Sequence, residues 1–422
     1  KLLAFYLMQV VLFGATILLY TNIYPRVSRL VVNNMCMLLC IGMIMLTRLS
    51  YSNAVKQFVI AAGGVAISLV VPVVIRKVKK LSEWRKVYAI IGIVSLALVV
   101  VIGSVSYGAK LGFQVAGINV QPSELVKIVF VFFVASSFKQ SMAFKDIVVT
   151  TALAAFHVLI LVASKDLGAA LIIFVVYLVM LYVATRKPSY ALAGLGTGAL
   201  ASLVAYKLFN HVRVRVVAWK NPLGVIDKEG YQICQSLFAI GTGGWFGMGL
   251  YQGMPDKIPV VEQDFVFAAI SEELGGVFAL CLLLVCVSCY LMFLNIAMQI
   301  KDQFYKLIAL GLGTVYGFQV FLTIGGVTKF IPSTGVTLPL VSYGGSSLLS
   351  TTIIFAIIQG LYILRQDEEG MKQHEGKKKK KVNVKEKRTK REPKRKPEPV
   401  ARPTSGNGRK KTGFDQDIED LD

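Results

Sequence analysis

Long apolar runs, each closed by a short polar or basic stretch, repeat along most of this 422-residue chain. They centre on residues 2 to 23, 30 to 47, 57 to 75, 87 to 107, 123 to 138, 147 to 163, 167 to 185, 189 to 209, 265 to 300, 304 to 326 and 347 to 364. Most match the roughly 17 to 25 residues with which an α-helix crosses a bilayer. They lack period-2 alternation and are too long for the spans of a membrane barrel. The pattern predicts an all-α fold, a polytopic membrane helix bundle of about eleven transmembrane helices. It also predicts a long extracytoplasmic loop from about 210 to 263 and a disordered cytoplasmic tail. Three segments follow: an additional N-terminal helix with its basic loop (1–29), a membrane core (30–365) and a tail (366–422).

Composition agrees, since 55% of residues are hydrophobic and only 17% charged. The net charge of +22 raises the question of nucleic acid, but its distribution answers otherwise. Every second loop is basic: Arg26 and Arg29, Arg76 to Lys86, Lys139 and Lys145, Arg186 and Lys187, Lys301 and Lys306, then the tail. Basic loops face the cytoplasm. The chain is therefore expected as a multi-pass protein of the cytoplasmic membrane, with its N-terminus outside and its C-terminus inside. The tail has Lys377 to Lys381 and Lys385 to Arg391, an acidic end and almost nothing apolar to bury. Anionic lipid attracts such a stretch by about 1 kcal/mol per charge, so the expected partner is membrane lipid and no nucleic acid. The six cysteines and three histidines form no disulfide framework and no zinc spacing. The opening run exceeds a signal-peptide core, lacks a cleavage site and reads as a true helix.

Charge at a membrane boundary is costly and points to function. Asp264, Glu272 and Glu273 stand at the start of one of the most apolar runs. Glu124 and Lys127, three residues apart on one helix face, can pair, and Lys165 with Asp166 places a second charged pair at an outer end. Both read first as structural ion pairs that shape a polar cavity. Arg213 and Arg215 suit phosphate, although arginine at a helix end also anchors at the interface. The stretch from Ile331 to Ser347 combines two prolines and repeated glycines in an apolar context. Such non-helical backbone at membrane depth must line a cavity. Its Thr334, Ser342, Tyr343, Gly344, Gly345, Ser346 and Ser347 suit a polar or anionic ligand at the next helix's N-terminus.

Together these stretches resemble the SEDS family (shape, elongation, division and sporulation), membrane proteins of the FtsW, RodA and SpoVE type. The resemblance covers roughly residues 30 to 365. It rests on Gln121-Pro122-Ser123-Glu124 with Lys127, Asp166-Leu167-Gly168, Gly230-Tyr231-Gln232 with Gln235-Ser236, Asp264-Phe265 with Glu272-Glu273-Leu274-Gly275, and Pro332 to Ser347. It implies a peptidoglycan glycosyltransferase that polymerises lipid II outside the membrane, beside a class B penicillin-binding protein transpeptidase that crosslinks the glycan. The family's essential acid falls on Asp264, which the resemblance makes the catalytic base. Lys110, Gln121, Ser123, Arg213, Arg215, Gln235, Glu272, Glu273 and the 334–347 residues become substrate-binding candidates. A divalent cation, Mg or Mn, is the candidate cofactor, with its ligands unknown. The chain departs from the family at Lys110-Leu111, Lys165, Glu262-Gln263 and Thr323, and in its first helix, an addition with an expected partner role. Two rival functions, a lipid II flippase and a non-catalytic scaffold for the transpeptidase, share the same cavity. A flippase should show an internal inverted repeat, and none is evident.

Overall fold

The computed structural model describes residues 1–106, 109–115 and 118–389. Its helices are α1 (Leu2–Ile23), α2 (Arg29–Leu49), α3 (Tyr51–Lys77), α4 (Arg85–Ile102), α5 (Pro122–Gln140), α6 (Phe144–Ala163), α7 (Leu167–Thr185) and α8 (Pro188–Leu208). They continue with α9 (Asn210–Lys220), α10 (Tyr231–Gly243), α11 (Val266–Gln299), α12 (Gln303–Val327) and α13 (Gly345–Thr389). Three short strands, β1 (Ser104–Ser106), β2 (Ala109–Val115) and β3 (Ile118–Val120), form an antiparallel sheet in order β1-β2-β3 between α4 and α5.

Ten of these helices, among the described residues, are long and apolar enough to cross a membrane. The eleventh expected run is α5, which carries Glu124, Lys127 and Lys139 and is enclosed by its neighbours. Phe130, Val131, Phe133 and Val134 on it are among the most buried residues of the core. Local chemistry sets the ends. Pro122 and Pro188 start α5 and α8, where a missing N–H costs nothing. Asp166 accepts the Ala169 amide at the start of α7, and Asp302 accepts those of Phe304 and Tyr305 at the start of α12. By contrast α8 buries no residue and packs against α7 and α9 alone of the helices with substantial contacts.

Three expectations are corrected. The 210–263 stretch is not a loop throughout, because it folds α9 and α10. The 265–300 run breaks at Gly275, whose φ of 89° and ψ of 167° separate a half-helix Val266–Leu274 from the span that follows. A hydrophobicity pattern cannot register such a break, since apolar residues continue across it. Lastly, α13 continues to Thr389, past the boundary expected at 365. Lysine, glutamate and glutamine are good helix formers, and Arg365 pairs with Glu369 one turn on at 3.2 Å. Lys1–Glu369 form one compact unit and Gly370–Asp422 a second; the tail beyond residue 389 lies outside the described residues.

The break at Gly275 is tightly fitted. A Cβ there would lie 2.4 Å from the Gly247 nitrogen and 2.6 Å from the Trp245 carbonyl oxygen. Gly275→Ala therefore combines a left-handed φ, costing about 1–2 kcal/mol, with a backbone clash. The expected result is a clear drop in thermal unfolding temperature in detergent; an unchanged transition would mean that the break carries no constraint.

Candidate functional site

A cavity of about 130 Å3 opens between the starts of α5, α7 and α13 and the segment that leads into α13. Its walls join residues far apart in sequence, among them Asn119, Gln121, Asp166, Gln263, Thr337 and Tyr343 to Ser347. Deepest lies the pair read from the sequence: Lys127 Nζ sits 2.9 Å from the Glu124 carboxylate. Lys127, only 1% exposed, also donates to Gln319 Oε1 at 2.8 Å, and Ser350 Oγ donates to Glu124 at 3.1 Å. A buried ion pair persists only when its remaining lone pairs and protons are met this way.

One layer outward, Asp166 accepts Ser123 Oγ at 2.8 Å and Gln121 Nε2 at 3.2 Å, besides capping α7. The Gln121 amide donates to Ser346 Oγ at 2.8 Å, tying α5 to α13. The non-helical segment expected between Ile331 and Gly344 is present. Thr323 Oγ1 donates to the Val336 carbonyl and Gln319 Nε2 to that of Thr337. Thr337 Oγ1 and Ser342 Oγ close its turns with Ser347 Oγ and the Leu338 amide. Gln57 on α3 donates to the Ser342 carbonyl and accepts the Gly344 amide. Asn53 holds the Glu262 carboxylate at 2.8 Å, while the Tyr343 amide donates to the Glu262 carbonyl at 2.7 Å.

Asp264 and Arg215 converge over Gly335, which lines the cavity. A Cβ on Gly335 would stand 3.4 Å from Arg215 Nη2 and 3.5 Å from Asp264 Oδ2, in ordinary contact with both. It is the φ of 70° that favours glycine there. Arg215 is further held by the Ser333 carbonyl at 3.3 Å. Burial pushes the Asp264 carboxyl up to about 6, and the nearby guanidinium pulls it partly back down. Burial lowers the Arg215 pKa, against which Asp264 and Asp166 act. A carboxylate that titrates near 6 beside a fixed cation is suited to accepting a proton at neutral pH.

The other sequence candidates are distributed as follows. Gln121, Tyr343, Gly344, Gly345, Ser346 and Ser347 line the cavity. Ser123 and Ser342 position its walls, and the buried Thr334 hydroxyl beside Gly335 has no hydrogen-bond partner. Lys165 takes a left-handed φ of 64° directly before Asp166. Arg213 turns to solvent and donates to the Lys207 carbonyl. Gln235 lies partly buried on α10, away from the lining residues, and the Lys110 side chain falls outside the described residues.

Glu272 and Glu273 are not among the lining residues and act as braces in the fold. Glu273 pairs with Arg48 at 2.9 Å, and Glu272 accepts the Met254 amide at 2.9 Å, both facing inward. Sequence reasoning missed Arg48, Asn53, Gln57, Glu262 and Gln319. Arg48 gave a signal, as one of two basic residues, with Lys56, between two apolar runs on the outer side; Gln57 and Gln319 gave another, as amides inside apolar runs. Among the described residues no three His, Cys, Asp or Glu side chains gather to hold a metal. That donor set does not fit a protein-only divalent site.

Comparison with known proteins agrees in sequence and in fold. The FtsW/RodA/SpoVE family model, described as cell cycle protein, matches residues 28–366. A protein of Mycobacterium bovis named peptidoglycan glycosyltransferase RodA is 34% identical over 376 residues, covering 82% of this chain and 80% of that one. One of Geobacter metallireducens named probable peptidoglycan glycosyltransferase FtsW is 33% identical, covering 65% of this chain and 77% of that one. A chain from a structure on the coordination of polymerization and crosslinking by a peptidoglycan synthase complex superposes with a TM-score of 0.68 at 23% identity. That likeness covers 81% of this chain and 98% of the other. The Thermus thermophilus rod shape determining protein RodA gives 0.61 at 22% identity, over 80% and 96%.

Proposed function

The chain belongs to the FtsW/RodA/SpoVE family, and from that membership we propose that it is a peptidoglycan glycosyltransferase polymerising lipid II on the outer face of the cytoplasmic membrane. The observation that carries the mechanism is the convergence of Asp264 and Arg215 on one point over Gly335, a residue of the cavity's lining. The acceptor sugar's 4-hydroxyl gives its proton to the Asp264 carboxylate as its oxygen attacks the donor's anomeric carbon. The bond from that carbon to the lipid pyrophosphate breaks on the opposite face, so the centre inverts. Negative charge grows on the departing phosphate, where Arg215 is the fixed cation. Gln121, Tyr343 and the hydroxyls of Thr337, Ser346 and Ser347 offer hydrogen bonds to sugar and peptide. The basic loops support a cytoplasmic C-terminus, which leaves the cavity facing outward. Glycan strands made there are substrates for a crosslinking transpeptidase of the class B penicillin-binding type, the proposed partner.

This reading fixes a pH dependence. The base must be ionised, so polymerisation of purified lipid II falls as pH drops through about 6. Folding has the opposite sign. The folded chain binds the Asp264 proton more tightly than the unfolded chain, so this group stabilises most at low pH and its contribution fades as pH rises through about 6. Arg215→Gln removes the cation that lowers the carboxyl, so the half-maximal point of the rate profile moves to higher pH and the maximal rate falls. A profile that keeps its midpoint in Arg215→Gln would separate the two groups and sink the mechanism.

A further inference from the structure

From Tyr231 to Met254 the chain carries no Asp, Glu, Lys, Arg or His, although the charge pattern makes this part of an outer loop. Its large side chains are bared: Trp245 is 72% and Phe246 89% exposed, and Met248, Tyr251 and Met254 are exposed as well. Scattered exposed apolar residues need no explanation, but a contiguous run does.

Backbone bonds set the depth of this run. The Gly276 amide donates to the Gly244 carbonyl at 2.8 Å and that of Val277 to Trp245 at 3.1 Å. The Met248 and Gly249 amides return to the Glu272 and Glu273 carbonyls at 2.9 and 3.0 Å. Val277 opens the apolar part of α11, which exposes Val277, Leu280, Leu284, Val287 and Leu291 at alternating spacings of three and four. Such a stripe on a span faces lipid. The bared aromatic residues thus continue a lipid-facing stripe at its last turn, the level where Trp and Tyr collect in membrane proteins.

We infer that the Trp245–Met254 segment is an interfacial anchor, seated at the headgroup–acyl boundary of the leaflet at the Asp264 end of α11. Bonds to α11 and Arg48 hold its backbone at Trp245, Met248, Gly249, Gly253 and Met254. Arg48 stacks on Tyr251 at 4.7 Å and donates to the Gly253 carbonyl as well as to Glu273. What remains outward is uncharged and, Gln252 apart, dominated by apolar and aromatic side chains, matched to lipid rather than to a polar partner surface. The anchor is bonded to the half-helix that follows Asp264, so it holds that carboxylate at a fixed height above the acyl chains.

The test is tryptophan emission from the full-length chain in phosphatidylcholine–phosphatidylglycerol nanodiscs. Subtracting the Trp245→Phe protein removes the signals of Trp84 and Trp219. Trp245 should emit in the blue, lose about half its intensity to lipids brominated near the headgroup end, and resist aqueous iodide. Lipids brominated deep in the chain should quench it less. A second protein, Trp245→Phe with Phe246→Trp, moves the indole by one residue and should behave alike. Strong iodide quenching with no bromolipid effect in both would place the segment in water and overturn the inference. So would an emission insensitive to bromolipid that shifts only as the protein-to-disc ratio rises, which would mark a contact between copies.

Discussion

Asp264→Asn should remove lipid II polymerisation by at least about a hundredfold while the protein stays folded. The loss is large because the acceptor hydroxyl has no other base aimed over Gly335; Arg215, the other group there, is a cation. Positioned general bases contribute about a hundredfold to ten-thousandfold, and an amide cannot take the proton. The substitution keeps shape and removes a charge that the fold disfavours, since burial raises this carboxyl. Its thermal transition should equal or exceed that of wild type, so lost activity cannot be put down to unfolding. Glycan chain length on gels, from purified protein at matched amounts and with a cognate transpeptidase present, reads the result. Polymer from Asp264→Asn at the wild-type rate would remove the carboxylate from the chemistry. If wild type also made none, translocation of lipid II in proteoliposomes would become the activity to measure.

The second large effect concerns stability. Lys127→Met should destabilise by about 3–5 kcal/mol, because it leaves the Glu124 carboxylate buried with only the Ser350 hydroxyl to answer it. Gln319 Oε1 loses its donor at the same time. The double change Lys127→Met with Glu124→Met should recover most of that loss, since a buried pair replaced by apolar side chains of similar volume is often neutral or stabilising. Thermal unfolding in one detergent, for the single and double variants, measures both. A mild single variant would mean that water reaches this depth of the cavity. A double variant no better than the single would show that Glu124 is needed for itself.

The spans were legible because a bilayer imposes a length on every helix that crosses it, and among the described residues ten helices meet it. What a run of apolar residues cannot carry is a change of backbone direction, so the break at Gly275 went unseen although its Gly-Gly pair stood in view. The strands at 104–120 were hidden for a related reason, as three short pairings between helices leave little periodicity. At the site, Asp264, Arg215, Asp166 and the 334–347 stretch were legible because charge and glycine-rich backbone beside a membrane are costly without a use. The same rule picks out Glu272 and Glu273, but it finds expensive groups and cannot tell a ligand contact from a brace. Arg48, the partner of Glu273, lies at the end of α2, and only the fold brings that end beside α11. Asn53 and Gln57 show the same limit, since the one holds the Glu262 carboxylate and the other the backbone at Ser342, each acting on the site through another residue.

The order of synthesis bears on when this protein can act. Ser346, Ser347 and Ser350, which tie down Gln121, Gln319 and Glu124, all lie on the first turns of α13, the last helix among the described residues and so synthesised after the twelve before it. A nascent chain halted before residue 345 can have inserted every earlier helix and still hold Glu124 and Lys127 in an open trough. The cavity therefore gains its last wall only when α13 joins the bundle, and the pocket that would receive a precursor is a late product of assembly.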